Sequence, residues 1–377
     1  MKNKIVVFLL NLRRDKVRMM YAMAGVIFFL GVVFLIILVS NNFFYENTVY
    51  NDFGNEVLDN KTDAPSDCKF RRHIDGICVD VSLAVNPDLV GIMIENHYEA
   101  RPLSGISMAS VVYEAPVEAN FTRFLVVYTS DADVSKVGPV RSARPYYLDW
   151  VSEYPGMMYM HVGGSPDALD RIKKFDLFDL NEFYWGWYYW RGQDRSAPHN
   201  VYTSKELWQK ARVDYGDSYE TDSDTESWKF EYWDECEDDC TDNITITFAG
   251  EVYQPTWQYN SSTMQYERYE LGEPVFDPES GDKIVADTLV VQYVSTQVVD
   301  AVGRLSMETI GSGDAVIFRN GFKVEGEWCK ASQTEKTRFY YLDEDEQPAR
   351  RSGREIEFKP GKIWVSVVNL MDGVTYM

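Results

Sequence analysis

Arg123-Phe-Leu-Val-Val-Tyr128 is a short run, apolar after its Arg and rich in β-branched and aromatic residues, and Val90-Gly-Ile-Met-Ile-Glu95 and Ser110-Val-Val-Tyr-Glu114 are similar runs that close on a Glu. Short runs of this composition between turn signals read as strands buried in a sheet. Working outward, Ser142 stands where it can cap a helix over about 143–154, with Pro145 in its first turn. A further strand covers 157–162. Gly163-Gly164 then turn the chain, and Ser165 caps a helix that has Pro166 at its first position and ends near Lys174. This alternation predicts an α/β domain over 68–213.

Past this region the helix signals vanish. Residues 214–242 are acidic and polar and read as a linker or insertion. From 243 to 377 the strand-like runs are 243–248, 264–269, 288–294, 315–319, 323–329, 338–341, 355–358 and 363–368. Turn residues such as Asn320-Gly321 and Pro360-Gly361 separate them. Regular short strands between turns predict a mainly β domain, a barrel or a sandwich.

The N-terminus sets the address. Residues 19–39 carry no charge and are mostly Val, Ile, Leu, Phe and Met, about the length that spans a bilayer core. Lys2, Lys4, Arg13, Arg14, Lys16 and Arg18 precede them, against Asp15 alone. The positive-inside rule places 1–18 in the cytoplasm and the rest outside. A cleaved signal peptide is the rival, but its apolar stretch is usually shorter and ends in small residues. Residues 40–67 then read as a stalk. Of 37 basic and 59 acidic residues, six and one precede the span, which leaves 31 against 58 and a net charge of −27. So acidic a body excludes nucleic acid and anionic headgroups as partners. Outside the cell, Cys68 with Cys78 and Cys236 with Cys240 are expected to close local disulfides. Zinc is the alternative for four cysteines, but the spacings do not match the usual sites. Cys329 is left over as a buried thiol. No metal or cofactor is expected.

Three segments concentrate Gly, Pro, Arg, His and Ser within about sixty residues: Gly138-Pro-Val-Arg-Ser-Ala-Arg-Pro145, His161-Val-Gly-Gly-Ser-Pro166 and Ser196-Ala-Pro-His-Asn200. Such loop ends build sites on rigid scaffolds. Gly163, Gly164 and Ser165 lead into a helix, whose free N–H groups and positive dipole end suit an anion. Arg123, Arg141 and Arg144 add guanidinium donors, and His161, His199 and Asn200 complete the expected ligand-binding set. The bland alternative pairs these arginines with Glu95, Glu114 or Glu118 as fold locks. For catalysis the candidates are His161 and His199 as acid–base groups, with Glu114 and Glu118 as carboxylates. Ser165 is not in a nucleophile elbow and reads as a helix cap. The aromatic run Phe183-Tyr-Trp-Gly-Trp-Tyr-Tyr-Trp190 is either a core-covering flap or an exposed stacking surface.

Seven of these motifs occur in one order: Glu95-Asn-His97, Ala100-Arg-Pro102, Tyr113-Glu-Ala115, Thr122-Arg-Phe124, the 138–145 and 161–166 segments, and Ala197-Pro-His-Asn-Val-Tyr-Thr203. Over about 85–210 the chain resembles the YerB-like bacterial envelope lipoproteins. Tyr266-Glu-Arg-Tyr269, Trp328-Cys-Lys330 and Pro360-Gly-Lys-Ile-Trp364 resemble that family's C-terminal domain. The resemblance implies a two-domain, membrane-tethered, extracytoplasmic protein of unknown function, and carries over no catalytic residue. This chain departs from it in having an apolar span where a lipidated Cys would stand.

The expectation is therefore a single-pass protein of the bacterial membrane that binds an anionic ligand, a wall glycan or peptide, through its Arg/His site. The alternatives are a wall hydrolase or lyase, or a non-catalytic scaffold that docks an envelope protein partner.

Overall fold

The computed structural model describes residues 61–62, 68–216, 226–234, 236, 240–343, 350–369 and 373–377. The expected cytoplasmic segment, the span at 19–39 and nearly all of the stalk lie outside the described residues. Among the described residues, no helix is long and apolar enough to cross a membrane. The residues from Asn60 onward form one compact unit.

The elements follow in chain order. The first part holds β1 (Leu89–Glu95), β2 (Val111–Pro116), β3 (Thr122–Thr129), α1 (Tyr147–Val151), β4 (Met158–His161), α2 (Pro166–Lys174), β5 (Phe178–Asn181) and α3 (Lys205–Tyr215). The second part holds β6 (Asn243–Ile246), β7 (Thr256–Asn260), β8 (Gln265–Glu270), β9 (Thr288–Val294), β10 (Gly311–Arg319), β11 (Phe322–Lys330), β12 (Arg338–Asp343), β13 (Arg350–Glu355), β14 (Ile363–Asn369) and β15 (Val374–Tyr376).

One open sheet of 11 strands runs β13-β12-β11-β10-β9-β14-β2-β3-β1-β4-β5. Late strand β14 is parallel to both β9 and β2, with Trp364 opposite Val112 and Ser366 opposite Glu114. The regions 68–213 and 243–377 thus share one hydrogen-bonded sheet. A second sheet orders β8-β7-β6-β15, and short Glu273–Pro274 and Val285–Ala286 both pair with β8. The mainly β expectation stands; a closed barrel does not, because β13 and β5 are free ends of the large sheet.

Both faces of the central strands are covered, so the strands are apolar throughout instead of alternating. Ile92, Ile94, Val112, Phe124 and Val126 face α3 and the second sheet, joining Trp208, Ile244 and Trp257. Met93, Val111, Tyr113, Leu125 and Val127 face α1 and α2, joining Tyr147, Trp150, Ala168 and Ile172.

Three local expectations need correction. The helix over 143–154 is only Tyr147–Val151, because Ala143 is taken up in a backbone ladder with Gly163 and Ser165. The strand at 355–358 is displaced to Arg350–Glu355, and β5, α3, β7 and β15 form where the sequence reading expects no element. The end of the acidic linker is also built in: Trp228 and Phe230 are buried, and Phe230 bridges to Phe358. Two aromatic residues in a polar stretch bury more than the surrounding acids can oppose. Cys68–Cys78 and Cys236–Cys240 are disulfides, and Cys329 is a free, half-buried thiol.

Candidate functional site

The three signature segments meet through backbone hydrogen bonds. Residues 137–143 lie as a strap along the last residues of β1, with Glu95 N–H donating to the Pro139 carbonyl and Arg141 N–H to Met93. On one side Val140 N–H donates to Val201, and Val137 and Thr203 exchange both bonds. On the other side Val162 N–H donates to Arg141, and Ala143 N–H to Gly163. Gly138 allows this approach: its φ is +142°, and a Cβ there would stand 2.7 Å from the Val201 carbonyl oxygen. An L side chain meets strain and a clash at once.

The strap places three arginines at one end of the sheet. Arg123 projects from β3, opposite both Ala115 and Glu95 in register. Its side chain is 6% exposed. Nη1 donates to the Ser142 carbonyl at 2.6 Å, whereas Nε has no hydrogen-bond partner among the described residues. Among the described residues no carboxylate forms an ion pair with it. Burial, then the nearby charges of Arg144 and Arg141, pushes its pKa down to about 10. Arg144 is paired: Nε and Nη2 form a bidentate pair with Glu118 at 2.6 and 2.7 Å. Burial acts to raise the Glu118 pKa, but the hydrogen bond and charge of Arg144 outweigh it and the carboxyl titrates below its usual value. Arg141 Nε donates to Glu95 Oε1 at 2.9 Å.

Glu95 is the joint of the site. Its second oxygen lies 2.7 Å from Nδ1 of His199, and His199 Nε2 lies 3.4 Å from Glu99. The His97 ring sits 5.1 Å from the His199 ring, at an interplanar angle of 20°. Burial lowers the His97 pKa, with the neighbouring Glu95 carboxylate opposing. Asn200 holds the loop behind His199 by donating to the carbonyls of Gly192 and Arg195.

The remaining candidates are placed elsewhere. His161 is fully buried, with Nδ1 2.7 Å from the Gly163 carbonyl and Nε2 2.7 Å from Asp179, so both nitrogens are occupied by the protein. Gly163 N–H donates to Asn181 Oδ1, and Ser165 N–H to Ala143. The anion cradle expected there is thereby spent on the ladder. Ser165 caps α2, its hydroxyl accepting from Ala168 N–H at 3.3 Å. Glu114 lies on the opposite face, with Val112, where Arg268 holds it at 2.8 and 3.1 Å. It is fully buried, away from the strap, and does not join Glu118. The aromatic run divides: Tyr188 and Tyr189 are buried, and Phe183, Tyr184 and Trp187 are exposed. Of the catalytic candidates, only His199 and Glu118 reach the arginine cluster. Glu95 and Glu99, which organise His199, were not picked out as site residues; a carboxylate closing a strand beside a His was the available signal.

Residues 79–216 match the family described as "Protein of unknown function (DUF3048) N-terminal domain", and residues 244–365 match its C-terminal domain. "Putative lipoprotein YerB" of Bacillus subtilis (strain 168) is 27% identical over 289 residues, covering 76% of this chain and 82% of that protein. The crystal structure of the YerB protein from Bacillus subtilis superposes with a TM-score of 0.68 at 24% identity, covering 81% of this chain and 99% of that one. The chain belongs to the two-domain DUF3048, YerB-like family.

Proposed function

We propose that this DUF3048 protein is tethered to the membrane outside the cytoplasm and binds an anionic ligand there, a wall glycan or peptide, through Arg123. The supporting observation is the state of that guanidinium: buried, without an ion pair among the described residues, and with Nε unbonded. Taking a charge out of water costs several kcal/mol unless it is paired. Its neighbours are already neutralised by Glu118 and Glu95, which leaves Arg123 as the local excess of positive charge. A carboxylate or phosphate reaching Nε would supply the missing partner, and the Arg141 and Arg144 side chains around it would choose the ligand's shape.

Binding of purified, soluble wall fragments to the full-length chain in detergent, followed by calorimetry, tests this. Arg123→Met should abolish binding and leave the urea midpoint unchanged or higher, because it removes an unpaired buried charge. A variant that is destabilised yet still binds would overturn the proposal.

A hydrolase or lyase is the second reading. It is favoured by the His199–Glu95 contact, a half-buried imidazole with a carboxylate at 2.7 Å. Release of soluble products from wall material, lost in His199→Ala, would support it over pure binding.

A further inference from the structure

We propose that His97, Glu99 and His199 form a binding site for a divalent transition metal ion of the zinc class. This goes beyond the anion-binding reading and does not rest on it. One donor atom from each residue lies within 4.8 Å of the other two. His199 Nε2 to Glu99 Oε2 is 3.4 Å, and His97 Nδ1 to the same oxygen is 3.8 Å. Tetrahedral zinc with bonds of about 2.0–2.1 Å sets its ligand atoms about 3.4 Å apart, so the His199–Glu99 edge is already at that spacing. The His97 and His199 ring centroids are 5.1 Å apart, in a stacked arrangement. Glu99 is exposed and free to close the remaining edge. His97 Nδ1 accepts a long hydrogen bond, 3.3 Å from Glu99 N–H, which an ion would replace.

The second observation is the group behind His199. A neutral His199 that donates Nδ1–H to Glu95 at 2.7 Å presents its Nε2 lone pair on the side of Glu99, 3.4 Å away. An outer carboxylate on the far nitrogen is the usual support of a metal-bound histidine. Arg141 in turn fixes Glu95. Two nitrogens and one carboxylate oxygen suit zinc, or cobalt in its place, better than calcium or magnesium. Three protein ligands leave a fourth position for water or for a donor atom of a ligand.

The test uses the full-length, metal-free chain in detergent, carrying Cys329→Ser so that the free thiol takes no metal. Zinc chloride is titrated by calorimetry, and cobalt(II) is followed by its visible absorption. One zinc per chain is expected, with a cobalt spectrum of tetrahedral or five-coordinate type. His199→Gln and His97→Gln should each weaken binding at least tenfold, and Glu95→Gln, which leaves all three ligands in place, by about ten- to a hundredfold. Zinc should raise the melting temperature of the parent and not of His199→Gln, a readout that also shows the variant is folded. Equal zinc affinity in the parent and both His variants would assign the binding to the acidic surface and overturn the proposal, as would absence of binding.

Discussion

Glu114 and Arg268 offer the sharpest test of how the two parts of the chain are joined. Glu114 is 0% and Arg268 2% exposed, and they form a bidentate pair at 2.8 and 3.1 Å. The carboxylate also accepts from the Thr122 hydroxyl at 2.9 Å and from Trp364 Nε1 at 3.2 Å. The guanidinium lies over the rings of Phe124, Trp257 and Trp364. Strands β2, β3, β14, β7 and β8 therefore converge on one charge pair. Breaking a buried pair by removing one partner costs about 3–5 kcal/mol, because the other charge stays buried. Arg268→Met should fall in that range, since it strands the Glu114 anion among neutral donors. Glu114→Gln should sit at its lower end, since Arg268 keeps Glu270 at 3.1 Å. The double variant should cost less than the sum by at least about 1 kcal/mol, as contacting residues couple. Urea unfolding followed by tryptophan fluorescence measures all three. Single losses below about 1 kcal/mol, or strict additivity, would refute this account of the junction. Because Glu114 faces away from the strap, ligand binding at Arg123 should survive in every folded variant.

A buried lysine and a half-exposed disulfide carry two further outcomes. Lys336 is buried over the rings of Tyr154 and Trp228, its Nζ has no hydrogen-bond partner among the described residues, and burial pushes its pKa down to about 7. Between pH 7 and the unfolded value near 10.5 the unfolded chain binds the extra proton, so stability rises with pH across that window; Lys336→Met should raise the urea midpoint at pH 7 and flatten the rise measured up to pH 9. Replacing Cys68 and Cys78 together by Ser opens a bridge spanning ten positions and should cost about 3 kcal/mol on the loop-entropy scale, read from the thermal midpoint under oxidising conditions.

β1 to β4 are legible because their short apolar runs end in turn residues; β5, Phe178-Asp-Leu-Asn181, mixes polar residues and carries no such signal. α2 was legible from Ser165-Pro166 alone. The joining of the halves was not. Parallel pairing of β14 with β2 links residues some 250 positions apart, and neither strand carries a mark of its partner. Alternation would ordinarily assign faces, but here both faces are apolar, so parity gives no contrast. That is why Glu114 and Glu118 could be taken as a pair, when one faces Arg268 and the other Arg144. The histidines failed for a related reason. His161 closes an interior strand beside Asp179 on the next one, whereas His199 sits on a loop at the sheet end; both look alike as a His near Gly or Pro. The pairing of Arg141 and Arg144 with Glu95 and Glu118 was foreseen as an alternative, and Arg123 stands out only once those partners are known.

The position of β14 bears on how the molecule can be made. Until residues 363–369 are available, β2 presents an unpaired edge with Val111, Val112 and Tyr113 along it, and β9 presents another. Open apolar edges invite pairing with other chains. The first part therefore cannot finish its own sheet as it emerges and must wait until residues 363–369 have been made. A fragment cut at the natural-looking boundary near 243 would be an incomplete sheet, liable to aggregate, and co-supplying the missing C-terminal part in trans would be the way to rescue it.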